Sequence, residues 1–82
     1  MKLYPSQCRA ARALLNVTQD DLARRLGVSR ISIAHFETGK RVLSDELTRK
    51  IVLIFKQEGV GLLPADESGG VCVYFITPGR TS

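Results

Sequence analysis

Arginine, serine and histidine side chains are concentrated in residues 27–39, which read GVSRISIAHFETG. Side chains of these types bind ligands through hydrogen bonds. They do not form a catalytic or metal-binding constellation: His35 is the only histidine, Cys8 and Cys72 lie far apart, and no carboxylate pair is placed for acid–base chemistry. The sequence therefore predicts a binding protein without a metal or cofactor, and not an enzyme.

Positive charge is concentrated in the first two-thirds of the chain. Residues 1–56 contain eleven Lys and Arg against five Asp and Glu, whereas residues 57–82 contain one Arg against three Asp and Glu. Such an excess favours a polyanionic partner, with nucleic acid the first candidate. The alternative is that the basic surface is only solvated and binds no polyanion, because many proteins have such a surface.

Start and stop signals predict four helices in this single small domain of 82 residues. The second is the clearest: in TQDDLARRLG, Thr18 and Asp21 can form a capping box, and Gly27 can end the helix in the left-handed conformation. Pro5 suits the first position of the first helix. The other boundaries are an end near Leu15 or Asn16 for the first helix, Ser29 to about Thr38 for the third, and Ser44 to Gly59 for the fourth.

The composition changes after the fourth helix. VGLLP and GVCVYFI are β-branched and aromatic, and they flank the turn-rich ADESGG. This pattern predicts a hairpin with strands near 60–63 and 71–76. Because a two-stranded hairpin is marginal in water, it must pack on the fourth helix, on a partner's hairpin, or on both.

Surplus apolar residues predict a dimer surface. Val52 and Leu53 widen the apolar stripe of the fourth helix beyond that of a normal surface helix. The second strand is apolar on both faces, which suggests burial on both. The expected dimer residues are Val52, Leu53, Val71, Val73 and Phe75.

The second and third helices meet at Gly27-Val28-Ser29, which is the geometry of a helix-turn-helix. Ala23 must be small because the third helix crosses close above it, and Ile33 and Phe36 face inward. The residues left outward on the third helix are Arg30, Ile31, Ala34, His35 and Thr38.

TQDDLARRLGVSRISIAHFETGKR resembles the helix-turn-helix of phage repressor and Cro proteins, the XRE family, and the resemblance extends over roughly residues 6–58. It implies that residues 1–58 form a DNA-binding domain whose third helix, about 29–38, lies in the major groove. With the predicted hairpin and dimerisation tail at 59–82, the fold class is mainly α: a repressor-like domain of four to five helices with a C-terminal β-hairpin.

The resemblance also implies roles for individual residues. Arg30, Ile31 and His35 take base-facing positions, where Arg30 can donate two hydrogen bonds to guanine. At the position of Ile31 the family more often has a polar residue. The isoleucine can instead contact a thymine methyl. Ser32 is expected to touch a base or the backbone at the groove edge. Contacts with DNA phosphates are expected from Thr18, Gln19, Ser29, Lys40 and Arg41.

Arg12 and Glu37 correspond to an ion pair in this family. The resemblance implies that they join the first helix to the end of the third, partly buried. Both residues then have a structural role, and Arg12 is not a DNA contact.

The function predicted from the sequence is sequence-specific DNA binding by a transcription regulator, as a homodimer on a two-fold symmetric operator. The alternative has the same fold but a different function: an antitoxin or adaptor whose main partner is another protein, bound by the apolar tail.

The longest apolar run, residues 51–55, is too short to span a bilayer, and no signal peptide is visible. A cytoplasmic protein without a membrane partner is therefore expected, with its cysteines reduced.

Overall fold

Four helices and a short antiparallel hairpin make up the computed structural model, which describes residues 3–63 and 72–75. This mainly helical arrangement confirms the predicted fold class. The elements in chain order are α1 (Pro5–Leu15), α2 (Gln19–Leu26), α3 (Arg30–Glu37), α4 (Asp45–Gln57), β1 (Val60–Leu63) and β2 (Cys72–Phe75).

The ends of α2 follow directly from local sequence signals. The Thr18 hydroxyl accepts a hydrogen bond from the Asp21 amide at 3.0 Å, and an Asp21 carboxylate oxygen accepts one from the Thr18 amide at 3.2 Å. This reciprocal capping box satisfies two amides that the helix itself cannot. After α2, Gly27 adopts φ +73°, a left-handed conformation that residues with a side chain resist. The predicted start and end of α2 are confirmed.

Serine residues cap the next two helices. Ser29 accepts a hydrogen bond from the Ser32 amide at 3.3 Å, at the start of α3. Ser44 accepts one from the Leu47 amide at 3.2 Å, at the start of α4. Each bond satisfies one of the amides left unpaired in a first helical turn, so the predicted caps are confirmed.

The core lies where all four helices and β1 meet. α2 packs against α3, and Ala23 is almost fully buried between them. A larger side chain there would separate the two helices, because protein interiors have few voids. The buried apolar residues are Leu3, Cys8, Ala11, Leu22, Ala23, Ile33, Phe36, Leu43, Ile51, Phe55 and Val60.

The hairpin shares this core. β1 contacts α1 and α4, β2 contacts α1, and Val60 is completely buried. The strands are antiparallel, with Leu62 opposite Val73, and both side chains pack on the core. The first strand lies where it was predicted, and the second covers Cys72–Phe75. Val71 and the side chain of Phe75 lie outside the described residues.

None of the helices found within residues 3–63 combines the length and the apolar character needed to cross a lipid bilayer.

Candidate nucleic-acid interface

α3 has one buried face and one exposed face. Ile33 and Phe36 are buried against the core, whereas Arg30, Ile31 and His35 are exposed. The isoleucine side chain is 55% exposed. The helix therefore presents a cation, an aliphatic group and an imidazole to the outside on a rigid base.

Ser32 lies on the inward side of α3, and its position differs from the sequence expectation. Its side chain is nearly buried, and its hydroxyl is 3.1 Å from the Ser29 hydroxyl. The same hydroxyl accepts a hydrogen bond from Arg41 Nη1 at 3.0 Å. The reason is helical geometry, because Ser32 lies one turn after Ser29 and so lies over the cap instead of at the outer edge.

The other polar residues expected near phosphates lie at the N-termini of α2 and α3 and in the loop after α3. Thr18 and Ser29 are exposed, and each uses its hydroxyl as a helix cap. Lys40 and Arg41 are exposed in the loop after α3, which begins at Gly39 with φ +81°. The Lys40 amide donates to the His35 carbonyl at 2.8 Å, so the loop is held against the end of α3.

Gln19 faces the interior, although a phosphate contact was expected from it. Its Nε2 donates a hydrogen bond to Glu37 Oε1 at 3.1 Å, and its side chain is partly buried. One of its two amide N–H groups is therefore directed to a carboxylate of the protein itself.

Glu37 is a carboxylate buried at the end of α3, with only 2% of its side chain exposed. Arg12 donates to both of its oxygens, from Nε to Oε2 and from Nη2 to Oε1, each at 2.7 Å. Arg12 Nη1 donates to the Val17 carbonyl at 3.1 Å. The structure thus brings Arg12 and Glu37 together in a bidentate ion pair, and all three guanidinium nitrogens are occupied.

Cys8 and Arg9 are further partners of Glu37 that the sequence did not reveal. Cys8 Sγ donates to Glu37 Oε2 at 3.1 Å, and Arg9 Nη1 donates to the backbone carbonyl of Glu37. Cys8 and Arg12 are four residues apart on α1, so they share a helix face, and this spacing is the only local signal of the cluster. We call the residues Cys8, Arg9, Arg12, Gln19 and Glu37 the Glu37 cluster.

Burial and hydrogen bonding act against each other on Glu37. Burial alone would raise its pKa, but hydrogen bonds from Arg12, Gln19 and Cys8, with the attraction of the Arg12 charge, hold the pKa of Glu37 below its ordinary value. For Cys8 the effects reinforce each other: burial raises the pKa of the thiol, and the hydrogen bond to Glu37 raises it further. At neutral pH the cluster therefore contains a charged carboxylate and a protonated thiol.

The residues expected at a dimer surface fall into two groups. Leu53 is 54% exposed on the outer face of α4, and Val52 is partly exposed beside it. Both line a shallow groove together with Thr48, Arg49 and Lys56. Val73 instead packs on the core of its own chain. Of the five residues expected at the dimer surface, Leu53 is therefore the one with a large exposed apolar side chain among the described residues.

A sequence model of the helix-turn-helix family matches residues 9–57, a span that begins within α1 and ends with the last residue of α4. This chain belongs to the helix-turn-helix family. It is also similar to an HTH-type transcriptional regulator of Methanocaldococcus jannaschii, with 47% identity over 58 residues that cover 68% of this chain and 88% of the relative. These matches confirm the resemblance to XRE-type proteins.

As an XRE-type helix-turn-helix protein, the chain falls into the functional class of DNA binding and regulation of transcription. The matched span contains the whole Glu37 cluster except Cys8, and all of α2 and α3.

Replacing Glu37 with Ala is expected to lower the free energy of unfolding by about 3 kcal/mol, because Arg12 keeps its charge in a site where only 18% of its side chain is exposed. For a domain of this size, the melting temperature should fall by roughly 10 °C or more. Thermal unfolding followed by circular dichroism measures the change. DNA binding of the variant, assayed at a temperature where it is folded, should be retained.

The matched control is Arg24→Ala, which breaks the ion pair between Arg24 and Asp20 on the surface of α2. Exposed pairs of this kind contribute about 0–1 kcal/mol, so its melting temperature should stay within a few degrees of the wild type. Equal melting temperatures for Glu37→Ala and the wild type would show that the buried pair does not stabilise the fold.

The effect of Glu37 should also depend on pH in a defined direction. Because its pKa is lower in the folded than in the unfolded chain, its stabilising effect is complete above the unfolded pKa, about 4.3, and is lost as the pH falls through the folded pKa. We expect the difference in melting temperature between the wild type and Glu37→Gln to be largest near pH 7 and to shrink below about pH 4. A difference that stays constant from pH 7 to pH 3 would contradict this assignment.

Proposed function

We propose that this helix-turn-helix protein regulates transcription by placing α3 in the major groove of DNA, and that it binds as a homodimer to a two-fold symmetric operator. The observation that carries the proposal is the division of α3 into a buried face and an exposed face that bears Arg30, Ile31 and His35. The major groove is about 12 Å wide and admits a helix. In a helix-turn-helix, the second helix of the motif makes the base contacts.

Each of the three exposed side chains has a chemical counterpart on the edge of a base pair. The guanidinium of Arg30 can donate two hydrogen bonds to O6 and N7 of guanine, and Ile31 can pack against the methyl group of thymine. His35 can donate to a guanine acceptor or to a phosphate. Ser32 is not included in this base-reading set, because its hydroxyl is bonded within the protein.

The phosphate backbone is expected to run along the two helix starts and the loop after α3. Lys40 and Arg41 supply positive charge there, and both are exposed. Thr18 and Ser29 mark helix N-termini, where backbone amides and the helix dipole favour an anion. Gln19 can contribute the amide N–H that does not face Glu37.

Homodimerisation is proposed through the outer face of α4. Leu53 and Val52 form an exposed apolar strip next to Arg49 and Lys56. A dimer would cover this strip and set two copies of α3 one helical turn of DNA apart, roughly 34 Å.

Selection from a random pool of double-stranded DNA tests the proposed function. We expect enrichment of a two-fold symmetric sequence, and light scattering should give the mass of a dimer at micromolar concentration. Enrichment of an asymmetric short site by a monomer would contradict the homodimer. No enrichment, together with no salt-dependent DNA binding, would contradict the regulator and favour an adaptor that binds another protein.

Two single substitutions should separate base reading from phosphate contact. Arg30→Ala is expected to cost about 1–3 kcal/mol on the selected site and to relax preference at one base pair. Lys40→Ala should weaken binding to all sequences alike and reduce the slope of log K against log salt by about one. Fluorescence anisotropy titrations at several salt concentrations measure both effects.

The control for net charge is Arg25→Ala, because Arg25 is in the last turn of α2, has no proposed contact with DNA or with a second copy, and pairs with Glu58. Its affinity, base preference and salt slope should match the wild type. If Arg30→Ala instead weakened all sequences equally, Arg30 would be a phosphate contact.

A further inference from the structure

We infer that Arg41 is a positioning residue for the recognition helix: its guanidinium holds the first turn of α3 through Ser32 and Ser29, and so sets the direction of the base-reading side chains. The inference rests on the proposed function of α3. It goes beyond a phosphate contact, because it assigns to Arg41 an effect on which base is preferred.

A chain of three hydrogen bonds carries the inference. Arg41 Nη1 donates to Ser32 Oγ at 3.0 Å, and Ser32 Oγ lies 3.1 Å from Ser29 Oγ. Ser29 Oγ in turn accepts from the Ser32 amide at 3.3 Å, the bond that caps α3. Since Ser32 Oγ accepts from Arg41, its own proton can be donated to Ser29. The guanidinium is thereby linked to the cap of the helix.

The loop that carries Arg41 is itself held in place. It leaves α3 through Gly39 in the left-handed conformation, and the Lys40 amide is bonded to the carbonyl of His35. The next residue, Arg41, can therefore reach back over one side of α3 to its first turn. The loop and the two ends of the helix form one connected unit.

Arg30 and Ile31 lie between Ser29 and Ser32 in this first turn. The direction of their side chains follows from the backbone of the turn, since Cα–Cβ vectors are set by the helix. The hydrogen bonds that hold Ser29 and Ser32 therefore also set the direction of the Arg30 and Ile31 side chains. Catalytic and binding groups lose selectivity when the residues that orient them are loosened.

Lys40 provides the comparison within the same loop. It is also cationic and exposed, but the side-chain hydrogen bond from this loop to the first turn of α3 comes from Arg41. Arg41 has five N–H donors in a planar fork, so it can hold Ser32 and still donate to a phosphate on its exposed side. The two neighbouring cations should therefore behave differently when they are replaced.

The first experiment needs no DNA. Amide hydrogen exchange of Ser32 is compared in the wild type, Arg41→Ala, Arg41→Lys and Lys40→Ala. We expect exchange of the Ser32 amide to become roughly threefold to tenfold faster in Arg41→Ala and to be unchanged in Lys40→Ala, because only Arg41 bonds Ser32 Oγ and, through it, the cap Ser29; the amide keeps its bond to the Ser29 carbonyl in both variants. Lysine can restore a single hydrogen bond, so Arg41→Lys should be intermediate. Unchanged exchange in Arg41→Ala would overturn the brace.

The second experiment measures discrimination between the selected DNA site and a site changed at the base pair that Arg30→Ala relaxes. Arg41→Ala should reduce this ratio of affinities roughly threefold to tenfold, the equivalent of one hydrogen bond. Ser32→Ala should reduce it to a similar extent without changing the salt slope, and the double variant should show no further loss. Lys40→Ala should leave the ratio unchanged.

The outcomes separate this inference from the proposed function. If no DNA sequence is selected, the proposed function fails, while hydrogen exchange still decides whether Arg41 braces the cap. If DNA is selected but Arg41→Ala lowers all affinities equally, as Lys40→Ala does, Arg41 is a phosphate contact only and the positioning role is wrong. Additive losses in the double variant would likewise overturn the coupling through Ser32.

Discussion

A buried carboxylate is the constraint on which the rest of this domain depends. Glu37 at the end of α3 can remain charged inside the protein only if enough donors surround it. Arg12 supplies two hydrogen bonds, Gln19 one and Cys8 one, from two other helices. Since these donors come from α1 and α2, the carboxylate is satisfied only when α1 and α2 are both packed against the end of α3. This requirement fixes the base on which the exposed face of α3 stands.

Different parts of α3 are held by different contacts. Its C-terminal end is bound to the Glu37 cluster, its middle is packed by Ile33 and Phe36, and its start is capped by Ser29. The exposed side chains are therefore carried by a helix that is held at both ends. A rigid element of this kind presents side chains to a partner at little cost in conformational entropy.

Local signals in the sequence were sufficient for most of the fold. The Thr18–Asp21 capping box and the serine caps each join residues three positions apart, and the conformation of Gly27 depends on that residue alone. The sequence by itself therefore predicts these features. The partners of Glu37 are different, because Cys8 and Arg9 lie 29 and 28 residues away from it. The ion pair with Arg12 was accessible only through the resemblance to a family.

The inward orientation of Ser32 has a similar explanation. A serine in the first turn of a helix looks like a surface residue by its type, but here an arginine nine residues later covers it. The outward orientation of Gln19 was expected from the family, yet a buried acceptor from α3 draws its amide inward. In both cases the deciding contact comes from a segment that is not adjacent in sequence.

The thiol of Cys8 has a chemical consequence of its own. Thiolates, not thiols, react with oxidants and electrophiles, and this sulfur is fully buried, with its proton held by a carboxylate. Oxidants can therefore attack it only after α1 has separated from α3. A sulfinate or sulfonate formed at that moment would place a second negative charge beside Glu37, so the two anions would compete for the Arg12 guanidinium when the helices close.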